Sequence, residues 1–260
     1  MFQSFAPGGV GDGGGVGAPP PCEAEWVAAG VGAAAGALAR LPDALEARRA
    51  GGGESLPRRS AAQRAVVYGI LDGVRGGGGA RDGGVGRDSE FLAPGELAVA
   101  AEGILRAGWG VYVRSGTNDF RMLHCATGGY CLSKVLAWLP RADALRAMVH
   151  FGAGVVLLHF LAGRPPLAPA PCAPELPPWP EMVAAAVASR DVHTMKLVAQ
   201  GAEIAGALPT SPRLPLPAPL DLGDLPRAAA CQRLAARRAA VAAGAGAGAP
   251  AAVPASGVLE

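Results

Sequence analysis

The 260-residue chain is predicted to be all-α, on three observations. Apolar residues recur at three- and four-residue spacings in several segments, no segment alternates apolar and polar residues as a half-buried strand does, and glycine- and proline-rich runs separate the helical stretches. With 39 glycines and 24 prolines the chain lies close to low-complexity composition. Much of that load falls in GGVGDGGGVGAPPP (8–21), RRAGGGESLPRR (48–59), RGGGGARDGGVGRD (75–88) and the region after 207. Three parts follow: a Gly/Pro-rich N-terminus (1–22), one helical domain (23–206) with flexible glycine-rich insertions at 49–59 and 75–88, and a Pro/Ala-rich tail (207–260). The N-terminus and the tail are expected to be disordered. About 150–160 residues are left to build a core, enough for one ordinary domain.

The first helix is expected over roughly 23–48, where Trp26, Val27, Val31, Leu38, Leu41 and Leu45 recur and Pro42 interrupts. A second begins at Ser60, whose side chain and that of Gln63 stand at capping-box spacing. Val67, Ile70, Leu71 and Val74 line one face of it, and glycines from Gly76 stop it. In the third, FLAPGELAVAAEGIL, Pro94 sits in the first turn, where its missing N–H costs little. Leu97, Ala101, Ile104, Leu105 and Tyr112 share a side, and Gly108 and Gly110 should weaken its end by about 1 kcal/mol each.

A fourth helix is expected to open after Thr127-Gly128-Gly129, with Leu132, Val135, Leu136 and Leu139 on one face before Pro140. The fifth (141–162) is apolar nearly all round and should be the central helix, wrapped by the others. Its uninterrupted apolar part falls short of the ~20 residues a membrane span needs. A weaker helix should cover 180–206; its RDVHTMKLVAQGAEI resembles a single ankyrin-repeat helix with no periodic partner to stack on. Beyond it, LPTSPRLPLPAPLDLGDLP reads as extended chain.

Composition narrows function. A net charge of +2 and 5% aromatic residues give no footprint for nucleic acid. The five cysteines are scattered and odd in number, and MFQSFAPGG lacks the basic and apolar regions of a signal peptide. Free thiols in a reducing interior are the expected state. His124, Cys125, Cys131, His150 and Cys172 are metal-ligand types, but no CxxC brings them together as tight ligand pairs, so no metal is expected. The glycine runs lack the lysine and Ser/Thr of a phosphate loop, and no histidine–cysteine pair carries an orienting partner. No enzyme and no cofactor are expected.

Two neighbouring stretches carry a resemblance. EFLAPGELAVAAEGIL (90–105) resembles the Phe-x-x-Pro-Gly start of an alanine-rich helix in the adenoviral early-region-1B small T antigens, and CATGGYCLSKVLAWL resembles their later Gly-Gly-Tyr helix. VRSGTNDFRMLHCATGG is similar to the first homology region of cellular Bcl-family apoptosis regulators, with Asp119-Phe120 in place of tryptophan-glycine. The small T antigens are themselves regarded as viral Bcl homologues.

The resemblance implies a Bcl-like helical bundle around a central hydrophobic helix, acting as a viral inhibitor of host apoptosis. A groove would take the amphipathic ligand helix of Bax- or Bak-type proteins. Arg121 would pair with an acidic residue of that helix, with Asn118 as polar neighbour. Gly128 and Gly129 would allow close approach at a helix start, and Leu105, Tyr112, Leu132 and Leu136 would floor the groove. It also implies a location inside the host cell at membranes and the nuclear envelope, by peripheral association. The alternative is a non-enzymatic viral scaffold or tegument-type protein whose proline-rich tail recruits partners.

Overall fold

The computed structural model describes residues 21–52, 67–70, 90–168, 176–209, 216, 220 and 222–243, with side chains from Gly30 onward. Among them all regular secondary structure is helical: α1 (Pro21–Ala50), α2 (Pro94–Arg114), α3 (Phe120–Val135) followed by a 3₁₀ turn (Leu136–Trp138), α4 (Arg141–Leu161), α5 (Trp179–Ser189), α6 (Val192–Ile204) and α7 (Leu225–Ala242). The all-α expectation holds. The expected second helix is described only at 67–70, where Val67 and Ile70 are buried; the Ser60–Gln63 cap, Leu71 and Val74 lie outside the described residues. So do most of 1–22, 53–59 and all of 75–88.

The central helix is α2, not 141–162 as expected. Residues 107–113 of α2 are buried without interruption, because α1, α3, α4 and α7 all pack against it. Its glycines are the reason this is possible. A Cβ on Gly103 would come within 2.6 Å of the Ala35 backbone in α1, and one on Gly110 within 3.1 Å of the Pro42 ring. Gly108 and Gly110 therefore do not end the helix, which runs on to Arg114. They are the positions at which neighbouring chain passes close enough to fill the core. Pro42 does not interrupt α1 either; the break comes at Gly30, with φ 86°.

Helix α3 starts ten residues earlier than the leucine spacing suggested. Asp119 caps it, its carboxylate accepting from the Arg121 and Met122 backbone N–H groups. The glycine pair thus lies inside a helix, a correction to the expected helix start. Helix α4 buries one face only: Ala144, Leu145, Met148, Val149, Gly152, Val155, Val156 and His159. At 21 residues it is long and apolar enough to cross a bilayer, with 44% of its most apolar window buried against the bundle. At the N-terminal ends of α2 and α4, the Arg141 guanidinium donates two 2.6 Å hydrogen bonds to the Glu96 carboxylate. The Arg141 bonds, outweighing burial, hold the Glu96 carboxyl below its ordinary range.

After α4 the chain turns at Gly163 and Arg164, both with positive φ, and is strapped over α1. Glu46 accepts from the Leu167 N–H at 2.6 Å, and hydrogen bonds from Arg49 and that N–H bring its carboxyl down to about 2. His159, 1% exposed, meets the Pro165 carbonyl through Nε2 at 3.0 Å, while Nδ1 has no partner. Burial pushes the His159 pKa below its ordinary value. In the unfolded chain it titrates near 6.5, so below that pH the unfolded state binds the extra proton and stability falls. Urea unfolding at pH 7.5 and pH 5.5 should show this loss, and His159→Asn should reduce it. An unchanged pH slope in the variant would assign the acid sensitivity to other groups.

The segment 180–206 forms two helices, because Arg190 adopts a left-handed conformation (φ 52°) and Asp191 starts a new cap. The largest departure is α7, which lies in the expected extended tail. Met182 and Ala186 of α5, Val198 of α6, and Ala230 and Leu234 of α7 make a second, smaller core. Residues 227–242 contain no glycine or proline and are rich in alanine and arginine, which favours a helix.

Candidate helix-binding site

The residues expected to form the groove are close to one another in places, yet few are free. Leu105, Tyr112 and Leu136 are all 0% exposed and belong to the main core. The Tyr112 hydroxyl has no partner, and burial raises its pKa to about 12. Gly129 packs under Phe151 and Ile104, a Cβ there lying 3.0 Å from the Phe151 ring. Gly128 has nothing within 4 Å of an added Cβ, and Leu132 is half-buried; these two remain at the surface.

Arg121, expected at the groove rim, and Asn118, expected as its polar neighbour, both have partners within the molecule. The Arg121 guanidinium donates to the Leu161 carbonyl at the end of α4 and reaches the Asp119 carboxylate at 3.3 Å. It ties the start of α3 to the C-terminus of α4, where a cation suits the helix dipole. The Asn118 Oδ1 accepts from Arg233 Nη1 at 2.5 Å.

Arg233 is the hub that sequence reasoning missed. Besides Asn118 it donates to Thr194 Oγ1 at 3.1 Å and Asp191 Oδ2 at 2.7 Å. Its neighbour Gln232 donates to the Thr117 carbonyl at 2.8 Å and the Tyr112 carbonyl at 3.3 Å. Burial alone would raise the Asp191 pKa, but hydrogen bonds from Thr194 and Arg233 bring it to about 2. The polar neighbour expected for a ligand helix is thus occupied by the chain's own α7. A second buried network joins α3 to α6, with Lys134 and the Tyr130 hydroxyl both on the Glu203 carboxylate.

An open apolar cavity lies elsewhere, at the ends of α5, α6 and α7. It has a volume of about 550 Å³ and is lined by Pro178, Trp179, Pro180, Val183, Ala207, Leu208 and Arg227. Its position follows from local packing. Trp179, in the first turn of α5, packs over Gly201 of α6, where a Cβ would fall 2.9 Å from the indole. Leu208 and Ala207 lie where the chain leaves α6, their N–H groups both donating to the Ala202 carbonyl. Arg227 enters from the first turn of α7 and donates to the Leu176 carbonyl at 2.5 Å and the Pro177 carbonyl at 3.1 Å. Its nearest described carboxylate is Asp224, at 3.8 Å and largely exposed. The cavity thus sets one arginine beside an apolar floor, the chemistry expected at Arg121.

Neither Trp179 nor Arg227 lies in the stretches that carry the sequence resemblance, and Arg227 falls in the region that reads as tail. Among the described residues no three His, Cys, Asp or Glu side chains cluster as a metal site. Cys125 is buried, and that burial raises its thiol pKa to about 12, away from the reactive thiolate. No protein-family model, curated protein or solved structure matches the chain.

Proposed function

We propose that this chain is a non-enzymatic viral inhibitor of host apoptosis that binds the ligand helix of Bax- or Bak-type proteins. The observation that carries the proposal is the open apolar cavity beside Arg227. A cavity of this size takes one or two apolar anchors of an amphipathic helix, and the guanidinium can meet that helix's acidic residue. The resemblance over 90–140 supplies the apoptotic partner class, and the all-helical bundle is compatible with it. Binding sequesters the death-promoting helix, and nothing is turned over. The proposed setting is inside the host cell at membranes, including the nuclear envelope, by peripheral association.

The test is fluorescence polarisation of labelled Bax, Bak and Bim ligand-helix peptides with the full chain, since α7 carries Arg227. Kd values of about 1 μM or tighter are expected. Arg227→Ala should weaken them by about 10- to 100-fold, the range for a hydrogen bond to a charged group. Loss of affinity with Arg121→Ala but not with Arg227→Ala, both variants remaining helical, would return the site to the start of α3. Absence of binding to every peptide would favour the scaffold reading.

A further inference from the structure

We propose that the outward face of α3 is a self-association seam, on which a second copy of the chain packs antiparallel about a two-fold axis. Six residues define it: Phe120, His124, Gly128, Cys131, Val135 and Trp138. Intervals of four, four, three and four residues keep Phe120 to Val135 on one side of α3, and Trp138 follows in the 3₁₀ turn at its end. The side chains of Phe120 (53%), Val135 (39%) and Trp138 (65%) are exposed although large and apolar, and His124 and Cys131 are exposed as well. Phe120 already stacks edge-on with His124 and, from α6, with His193. The seam is about 27 Å long at 1.5 Å per residue.

Two features point to a second copy as the occupant. The first is charge. Arg121 and Lys134 are the charged residues of α3, and neither belongs to the seam: Arg121 is turned onto Asp119 and Leu161, and Lys134 is buried against Glu203. A two-fold axis brings each residue near its own copy's neighbourhood, so a charge-free seam meets no like-charge penalty there.

The second is size. Antiparallel pairing about the middle of the helix sets Gly128 opposite Cys131, His124 opposite Val135 and Phe120 opposite Trp138. Small residues meet at the centre, where the helix axes come closest, and aromatic rings meet at both ends. Nothing within 4 Å occupies the space where a Gly128 Cβ would stand, so that approach is open. A seam of this size offers on the order of 400 Å² per partner, about half the usual share of a stable interface. The expected dimer is therefore weak, with Kd on the order of 10 μM.

The experiment combines sedimentation equilibrium of the full chain with cross-linking by a short-arm bismaleimide. A concentration-dependent dimer is expected, with a cross-link that Cys131→Ser abolishes and the combined Cys22→Ser, Cys172→Ser, Cys231→Ser variant retains. Gly128→Leu should raise Kd more than about tenfold by filling the crossing point, with no loss of melting temperature in the dilute monomer. A chain that stays monomeric throughout, whether or not it binds lipid vesicles or apolar helical peptides, would overturn the proposal. So would a dimer whose cross-link does not need Cys131, or one that Gly128→Leu leaves intact.

Discussion

Gly108→Ala is expected to lower folding stability by about 3 kcal/mol or more, the upper end of the cost of overpacking a core. The added methyl would overlap the Cys125 carbonyl carbon and oxygen, which are backbone atoms of α3, and would also press on the Phe151 ring at 3.1 Å. A flexible side chain could turn away; a helix backbone cannot, so α2 and α3 must separate along their crossing. Trp109, Tyr112 and Met122, each 0% exposed, would then lose close contacts. Gly128→Ala provides the control. It lies in the same helix as Cys125 but faces open space, so replacing a mid-helix glycine should stabilise the protein by about 0.5–1 kcal/mol. Urea denaturation of the two variants checks both signs. Similar midpoints for the two would mean that α2 and α3 do not cross at Gly108.

Arg233→Ala is expected to cost about 3–5 kcal/mol, the range for removing one partner of a buried ion pair. The side chains of Arg233 and Asp191 are only 11% and 16% exposed, so the Asp191 carboxylate would keep its burial while losing its cation. Asn118 Oδ1 would lose its 2.5 Å donor at the same time. Helix α7 should then loosen from Asn118, Thr194 and Asp191, seen as faster backbone amide exchange in 225–242.

The same pair predicts an acid limb. Asp191 titrates near 2 in the folded protein and near 3.9 when unfolded, so its contribution is present above about pH 4 and is lost as the pH falls through about 2. Arg233→Ala should shrink that limb, because one of the bonds that hold the carboxyl down is gone. Unchanged stability and exchange in Arg233→Ala would show α7 to be held by apolar contacts alone.

These two sites mark where reading the sequence succeeds and where it stops. The apolar spacing in 31–45, 97–112 and 141–159 located the helices because burial of one face leaves a periodic trace. Large residues made those traces readable: Leu38, Leu41, Ile104, Leu105, Met148 and Val155 are all buried. Helix α7 left little such trace, because its buried face is mainly Ala228, Ala229 and Ala230. Alanine is apolar enough to bury against a neighbour and too common in this chain to mark a face. The candidate site is hard to read for a related reason. A short motif around Asn118 and Arg121 fixes which groups are present, but their partners come from α4 and α7, 40 and 115 residues away in sequence.

By itself the sequence determined the helical class, the apolar stretches that form the core, the lack of close metal-ligand pairs and the near-neutral charge. Each of these depends on composition or on neighbours within a few turns, so it is written locally. Only the tertiary structure decided which helix is central, since the glycines that make α2 packable look like helix breakers until Ala35, Pro42 and Cys125 are seen against them. It also decided that Arg121 and Asn118 brace the fold, and that Arg227, held by the Leu176 and Pro177 carbonyls, borders an open cavity. Which carbonyls and carboxylates an arginine meets depends on distant helices that bring them to it, and no local spacing encodes that.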